Sequence, residues 1–321
     1  MKHSEFKKAA ENHQVEYKKK YFGTTCDKYY KHKKNGKLEE DKSKPIKYYL
    51  TDEDAKKGKN FFSGFGIFEA AKKYCPIYFS FPLSRRRINL YSNMLRSEHI
   101  PFNLFVPFRQ DLEFAKKVFN EILGSEIISK VDEIIIEYPP SPKENYLNDG
   151  TSFDTYIEYT DIKNSKGIIC IEVKYTEKEY KLEKGSKQEK DINDKTGKYY
   201  YVSEKCEIYK PIVIDKLKTD LFRQIWRNHI LAESIVIENE KNNSIEDKVK
   251  IKQAHSLIFY PKGNEHFTEV GNEYKEMLAE DKKNKFGLVT FEKFIEICRN
   301  CGVNDEFEEW VNYLEKRYIV K

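Results

Sequence analysis

The stretch Gly167-Ile-Ile-Cys-Ile-Glu-Val-Lys-Tyr175 combines an apolar run with one carboxylate and one ammonium group. β-Branched residues dominate it, so the pattern predicts a strand that is buried on much of both faces. Because side chains alternate along a strand, Glu172 and Lys174 are expected on one side, and four apolar side chains on the other: Ile169, Ile171, Val173 and Tyr175. Charged groups are rarely buried unless they are paired or bind a metal. The charged pair therefore indicates a site.

Two further strand-like segments precede this one. Residues 131–138 form an apolar run that two prolines close, and residues 152–159 form a second run that carries Asp154. The tripeptide Glu-x-Lys recurs elsewhere in this highly charged chain, but only the copy at Glu172 lies in an apolar strand. The alternative interpretation is an exposed Glu–Lys pair on a strand, with an unrelated aspartate.

Two carboxylates that converge on one point would make an oxygen-rich site suited to Mg²⁺. Asp154 and Glu172 would be the ligands, and the carbonyl group of Val173 would be a third. Such a metal would polarise a phosphoryl oxygen and lower the pKa of a bound water. Lys174 would orient or deprotonate the attacking water, or neutralise the pentavalent phosphate. The sequence leaves these roles of Lys174 open.

Three strand-like segments in a row, with Asp on the second and Glu-x-Lys on the third, resemble the PD-(D/E)XK nuclease superfamily. The resemblance covers roughly residues 84–295, and the run Leu95-Arg-Ser-Glu-His-Ile-Pro-Phe-Asn-Leu-Phe105 looks like the corresponding segment of a bacterial branch of restriction endonucleases. It implies a restriction-endonuclease-like α/β fold, with a mixed central β-sheet flanked by helices. It also implies an endonuclease that hydrolyses DNA phosphodiesters with Mg²⁺, for which Mn²⁺ can substitute. Phe153 stands where the family often has proline, a minor departure.

A helix is predicted over residues 84–98, with Ser84 as its N-cap. We expect it to end near Ile100, because Pro101 disfavours helical geometry in the residue before it. Glu98 extends an apolar stripe formed by Ile88, Tyr91 and Leu95. The resemblance implies that Glu98 faces the metal centre. The alternative is a helix-end carboxylate paired with a nearby arginine.

A second, longer helix is predicted over residues 214–235, followed by a strand at 255–260, a helical stretch at 270–279 and an apolar run at 286–291. Gln224 and Asn228 lie four residues apart on the long helix. Gln224 looks like a glutamine that many members of the resembled superfamily carry close to the active site, although a surface amide is the alternative. Arg223 and Arg227 are predicted to hold backbone phosphates or merely to solvate the helix.

The N-terminal region is basic: residues 1–50 contain 14 Lys against 7 Asp and Glu, whereas the whole chain has a net charge of only +5. Tyrosines interleave with the lysines, so Lys18, Lys19 and Lys20 are predicted to bind DNA phosphates, with a solvated lysine-rich face as the alternative. We divide the chain into a basic, aromatic N-terminal extension (1–83), a nuclease core (84–295) with a mobile polar insertion at about 176–210, and a C-terminal helical tail (296–321).

No run approaches the roughly 20 apolar residues that span a bilayer, and the N-terminus lacks the apolar core of a signal peptide, so a cytoplasmic protein without membrane contact is predicted. No phosphate-binding loop is present, so no nucleotide cofactor is expected. The expected partners are double-stranded DNA and a second copy of the chain, because cutting both strands normally needs two active sites. A repair or junction nuclease on the same fold, and a non-catalytic nucleic-acid-binding protein, remain alternatives.

Overall fold

A five-stranded mixed β-sheet forms the centre of the molecule. The computed structural model describes residues 2–23, 28–34, 37–76, 85–179, 181–242, 246 and 249–320. Near the N-terminus two strands form an antiparallel ribbon, β1 (Lys28–Lys34) and β2 (Lys37–Ile46). The central sheet follows chain order: β3 (Ile128–Tyr138), β4 (Phe153–Asp161), β5 (Lys166–Val173), β6 (Ile251–Tyr260) and β7 (Phe286–Thr290). β4 pairs antiparallel with both β3 and β5, whereas β6 and β7 run parallel to β5.

Helices account for most of the remaining described chain. They are α1 (His3–Phe22), α2 (Asp52–Lys56), α3 (Ile67–Tyr74), α4 (Arg85–Tyr91), α5 (Ile100–Phe105), α6 (Leu112–Leu123), α7 (Lys187–Asn193), α8 (Lys198–Lys205), α9 (Ile214–Leu217), α10 (Asp220–Lys241), α11 (Glu265–Glu276), α12 (Phe291–Asn300) and α13 (Asp305–Tyr318). Short 3₁₀ turns occur at Ser97–His99, Pro107–Arg109, Lys143–Asn145 and Glu280–Lys285. None of the helices that the structure describes has both the length and the apolar character needed to cross a membrane.

Two apolar cores lie on opposite faces of the sheet. On one face, odd-numbered residues of β5 such as Ile169 and Ile171 pack with residues of α1, α5, α6, α12 and α13. On the other face, Ile168 and Cys170 pack with residues of α8, α10 and α11. The predicted alternation along β5 is therefore confirmed, and so is the predicted mixed sheet with helices on both faces.

The start of β5 needs a residue without a side chain. Gly167 pairs with Tyr159 on β4, and a Cβ atom built on Gly167 would lie 2.4 Å from Cζ of the Tyr159 ring. Such a distance is a severe overlap with a ring that is itself fully buried. The glycine that bounds the apolar run in the sequence therefore lets a large aromatic side chain lie across the strand.

The predicted helix over residues 84–98 is wrong as a continuous element. α4 ends at Tyr91, a turn and the Ser97–His99 3₁₀ segment follow, and α5 begins at Ile100. Pro101 lies in the first turn of α5, where its missing N–H and fixed φ cost nothing. The proline therefore starts a helix and does not end one. The predicted N-cap, Ser84, lies outside the described residues.

The later elements lie close to their predicted positions. The predicted helix over 214–235 is divided into α9 and α10, with Thr219 as the N-cap of α10, and α10 continues to Lys241. The stretches predicted at 255–260, 270–279 and 286–291 correspond to β6, α11 and β7, with boundaries shifted by several residues.

The three-part division of the chain stays a prediction, and three observations bear on it. Phe6 of α1 and Trp310 of α13 belong to the same core as the sheet, and the predicted boundary between residues 295 and 296 falls inside α12. The insertion at 176–210 contains α7 and α8, and it buries Tyr199 and Val202 against α10. Although the segment is polar in composition, α8 therefore has an apolar face that packs against α10.

Candidate active site

The pairing of β4 with β5 places Asp154 beside Glu172. Thr155 is paired with Ile171, so the next residues along the two antiparallel strands, Asp154 and Glu172, face each other on the same side of the sheet. Both side chains line a cleft of about 570 Å³, and Lys174 lines it too. The three residues that the sequence predicts as the catalytic centre therefore converge on one site.

Glu172 is held by three side chains. Gln224 Nε2 donates to its Oε1 atom at 2.6 Å, and Asn228 Nδ2 donates to its Oε2 atom at 2.5 Å. Lys174 Nζ also donates to Oε1 and forms an ion pair with the carboxylate. Only 12% of the Glu172 side chain is exposed, so these contacts replace most of the water that would otherwise solvate its charge.

Asp154 accepts a hydrogen bond from the backbone N–H of Val173, with 2.6 Å between Oδ2 and the nitrogen. Burial raises the pKa of Asp154 well above its ordinary value, and the neighbouring Glu172 carboxylate raises it further. Both causes disfavour the charged form. The site therefore holds two carboxylates whose mutual repulsion a cation would relieve.

Lys174 is 6% exposed. Burial lowers its pKa, but the Glu172 and Asp154 carboxylates outweigh burial, so the net effect is a raised pKa. Its backbone N–H donates to the carbonyl of Phe259 at 2.8 Å, which extends the pairing of β5 with β6 beyond the end of the strand. The ammonium group is therefore fixed next to both carboxylates.

The donor set fits a hard divalent cation. Asp154 and Glu172 offer carboxylate oxygens, the ligand type that Mg²⁺ prefers, and Mg²⁺ commonly takes only one or two carboxylates and keeps several waters. Among the described residues, no group of three or more His, Cys, Asp and Glu side chains could hold a metal. Glu172 already accepts two hydrogen bonds at Oε1 and one at Oε2, so coordination would use the remaining lone pair of Oε2. The carbonyl of Val173 stays a predicted ligand.

A family model described as the PD-(D/E)XK nuclease superfamily matches residues 2–320, nearly the whole chain. The chain belongs to this superfamily. Neither the curated proteins nor the solved structures yield a significant match. Membership in the PD-(D/E)XK superfamily supports a nuclease, and its members typically use divalent metal ions, consistent with the paired carboxylates of the cleft.

Glu98 lies in the 3₁₀ turn that precedes α5, and it lines the same cleft. Its Oε1 atom accepts a hydrogen bond from Asn89 at 2.9 Å and lies 3.2 Å from Nη2 of Arg96. The side chain is 30% exposed. The structure thus shows the arginine pair that the alternative interpretation names, at a position that still opens to the site. Its role in catalysis stays a prediction.

Two predicted DNA-binding arginines of this PD-(D/E)XK protein are buried. Arg223 is 3% exposed, and its Nη1 atom lies 2.7 Å from Asp220. Arg227 is 7% exposed, and its Nη2 atom lies 2.8 Å from Asp149. An i,i+4 spacing alone does not distinguish an outward stripe from an inward one, and here both arginines are buried and paired with aspartates. This placement does not support phosphate binding.

The three predicted DNA-binding lysines differ in exposure. Lys18 is 1% exposed and donates to the carbonyl of Tyr49 at 3.2 Å, so it is not available to a phosphate in this structure. Lys19 is exposed and pairs with Glu16 at 2.8 Å, and Lys20 lies 5.1 Å from the ring centroid of Tyr21. For Lys19 and Lys20, DNA binding stays a prediction.

Sequence reasoning missed Glu177 and Arg96. Glu177 accepts hydrogen bonds from the backbone N–H groups of Ser97 and Tyr175, at 2.8 and 2.9 Å. It also lies 3.4 Å from Nε of Arg96. Its carboxylate therefore ties the chain just after Lys174 to the segment that carries Glu98. In the sequence, Glu177 stands out only as an acidic residue three positions after Lys174. That signal is weak, because the chain is rich in glutamate.

Proposed function

We propose that the protein is a Mg²⁺-dependent DNA endonuclease of restriction type. One observation supports the proposal most directly: Asp154, Glu172 and Lys174 meet in one cleft at the end of a buried strand. Family membership supports a nuclease, and the oxygen donors favour Mg²⁺, with Mn²⁺ as a substitute. We further propose a cytoplasmic homodimer that acts on double-stranded DNA, because cleavage of both strands normally requires two sites.

In this proposal, Asp154 and Glu172 would hold the metal ion. When bound, the ion would polarise the phosphoryl oxygen and lower the pKa of the attacking water. Lys174 places positive charge beside the phosphate, where negative charge develops in the transition state. Gln224 and Asn228 fix the orientation of the Glu172 carboxylate, as outer hydrogen-bond partners of metal ligands commonly do.

The test is incubation of the purified protein with unmethylated plasmid or phage DNA and Mg²⁺, followed by sequencing of the ends. We expect cuts that need the metal and leave 5′-phosphates, recurring at a short fixed sequence. Glu172→Ala should abolish cleavage while DNA binding survives. The matched control is Glu158→Gln, because Glu158 lies on β4 but does not line the cleft.

Other outcomes would contradict particular parts of the proposal. Cleavage that follows branched or damaged DNA and ignores sequence would favour a repair or junction nuclease. Binding of nucleic acid without cleavage in Mg²⁺ or Mn²⁺ would favour a non-catalytic protein on this fold. Cleavage by Glu172→Ala at the wild-type rate would show that the site is assigned wrongly.

A further inference from the structure

The N-terminal helix forms part of the wall of the catalytic cleft. His3 and Lys7, four residues apart on α1, line the same cavity as Asp154, Glu172 and Lys174. His3 Nε2 lies 3.1 Å from the carbonyl oxygen of Thr176, two residues after Lys174. The cleft is therefore built from both the central strands and the first helix.

One of the basic side chains that line the cleft has no carboxylate partner among the described residues, although carboxylates outnumber basic side chains there. Among the described residues that line it, five carboxylates face four lysine or arginine side chains. Three of these cations already lie beside carboxylates: Arg96 contacts Glu98, Lys174 contacts Glu172, and Lys178 lies 3.9 Å from Glu179. Lys7 makes no ion pair with any described residue, and its side chain is exposed.

The backbone that carries Lys7 is firmly anchored. Its neighbour Phe6 is 1% exposed and packs edge-on against Tyr175, with ring centroids 6.3 Å apart. Two turns further on, the fully buried Gln14 donates to the Tyr175 hydroxyl at 2.8 Å and to the carbonyl of Arg317 at 2.7 Å. Because Tyr175 follows Lys174 directly, α1 is fixed to the chain segment that carries the catalytic lysine.

We propose that Lys7 binds a backbone phosphate of the nucleic-acid strand that enters the cleft. This inference rests on the proposed nuclease function, because a polyanion is the substrate that an unpaired ammonium group at this rim would attract. The phosphate contact of the basic N-terminal region is thereby placed at Lys7, at the end of α1 that lines the cleft. Lys18, near the other end of α1, is buried. A phosphate contact positions the strand and does not read bases, so the site of cleavage should not depend on Lys7.

The experiment compares full-length Lys7→Gln, Lys7→Arg and Lys8→Gln with the wild type. Lys8 is also an exposed lysine on the same helix, and it does not line the cleft. Binding to a short duplex is measured over a range of salt concentrations with Ca²⁺ in place of Mg²⁺, and cleavage is measured with Mg²⁺. For Lys7→Gln we expect a salt slope lower by about one and binding roughly tenfold weaker at about 50 mM salt.

The other readouts distinguish a phosphate contact from general charge loss. Lys7→Arg should bind nearly as the wild type does, Lys8→Gln should change binding less than twofold, and cleavage at saturating DNA should remain at the same positions. If the wild type binds and cuts DNA but Lys7→Gln behaves as Lys8→Gln does, this inference is wrong and the proposed function stands. If the wild type neither binds nor cuts nucleic acid, the proposed function fails and the inference fails with it.

Discussion

Gln224 Nε2 lies 2.6 Å from Glu172 Oε1, and this hydrogen bond joins α10 to the end of β5 across 52 residues of sequence. Asn228, one turn further along α10, binds the other oxygen of the same carboxylate. The two amides therefore clamp the orientation of Glu172 from one helix. A carboxylate held in this way needs little rearrangement when a cation binds.

The first prediction concerns this clamp. Gln224→Ala and Asn228→Ala should each lower the turnover rate or the affinity for Mg²⁺ by about 10- to 100-fold, because the carboxylate loses its fixed orientation. DNA binding should change little. Steady-state cleavage at several Mg²⁺ concentrations measures both quantities. Glu240→Gln, an exposed change on α10, is the control. Wild-type rates and Mg²⁺ affinity in both alanine variants would show that the clamp is not used.

The second prediction is a trade between stability and activity at Asp154. Burial and the Glu172 carboxylate raise the pKa of Asp154, so its charged form costs stability at neutral pH. Asp154→Asn should therefore unfold at a higher temperature than the wild type in EDTA, and it should not cleave DNA. Saturating Mg²⁺ should stabilise the wild type more than the variant. Thermal unfolding with and without Mg²⁺ checks this, and equal stabilisation by Mg²⁺ would contradict the assigned ligand.

The third prediction is a loss of stability in mild acid. Burial lowers the pKa of His229 to about 3 and that of His255 to about 4. Below about pH 6.5 these histidines bind protons in the unfolded chain but remain neutral in the folded protein. Each of them therefore lowers the free energy of unfolding by about 1.4 kcal/mol per pH unit, until the pH reaches its pKa in the folded protein. His255→Gln should reduce the stability difference between pH 7 and pH 5 by about 2 kcal/mol. Urea unfolding at the two pH values measures it.

The control for the acid experiment is His13→Gln on α1, which should change the difference between the two pH values less than His255→Gln does. His13 is only partly buried and contacts the carbonyl of Lys316. An unchanged difference in His255→Gln would show that this histidine does not carry the acid sensitivity.

The fourth prediction separates structure from DNA binding at Arg227. Its guanidinium group pairs with Asp149 and donates to the Tyr199 hydroxyl at 2.9 Å, which connects α8, α10 and the loop before β4. Arg227→Gln should lower the free energy of unfolding by about 3 kcal/mol or more, because it leaves the Asp149 carboxylate buried without its partner. The double variant Arg227→Gln/Asp149→Asn should lose less than the sum of the single variants. Weaker DNA binding with unchanged stability would instead support the phosphate contact predicted from the sequence.

The fifth prediction concerns truncation of the N-terminus. α1 buries Phe6, Ala10 and Gln14 against the sheet and α13. Deletion of residues 1–22 should therefore prevent folding, because it exposes the apolar surface that α1 covers. Circular dichroism and the melting temperature of the truncated chain check this. A truncated protein that folds cooperatively would show that α1 is an appendage, as the division into an extension and a core predicts.

The helix boundaries show where local sequence rules reach their limit. Pro101 is compatible both with the end of one helix and with the first turn of the next, and only the packing of the fully buried Phe102 and Phe105 decides for the second. Arg227 is spaced from Arg223 as exposed phosphate-binding residues are, yet it is buried against Asp149 and Tyr199. Residues 176–210 are polar overall and are predicted to be mobile, yet Tyr199 and Val202 within them pack on α10. In each case the deciding contact comes from a distant part of the chain.

The sequence by itself determined the buried strand β5 and the side of it on which Glu172 and Lys174 lie, because alternation follows from the extended backbone and needs no partner. It also indicated Asp154 as the second carboxylate. Only the tertiary structure decided that Asp154 faces Glu172, that Gln224 and Asn228 hold that carboxylate, and that α1 lines the cleft. These contacts join segments far apart in the chain, and they depend on strand register and on how helices pack, which no local pattern encodes.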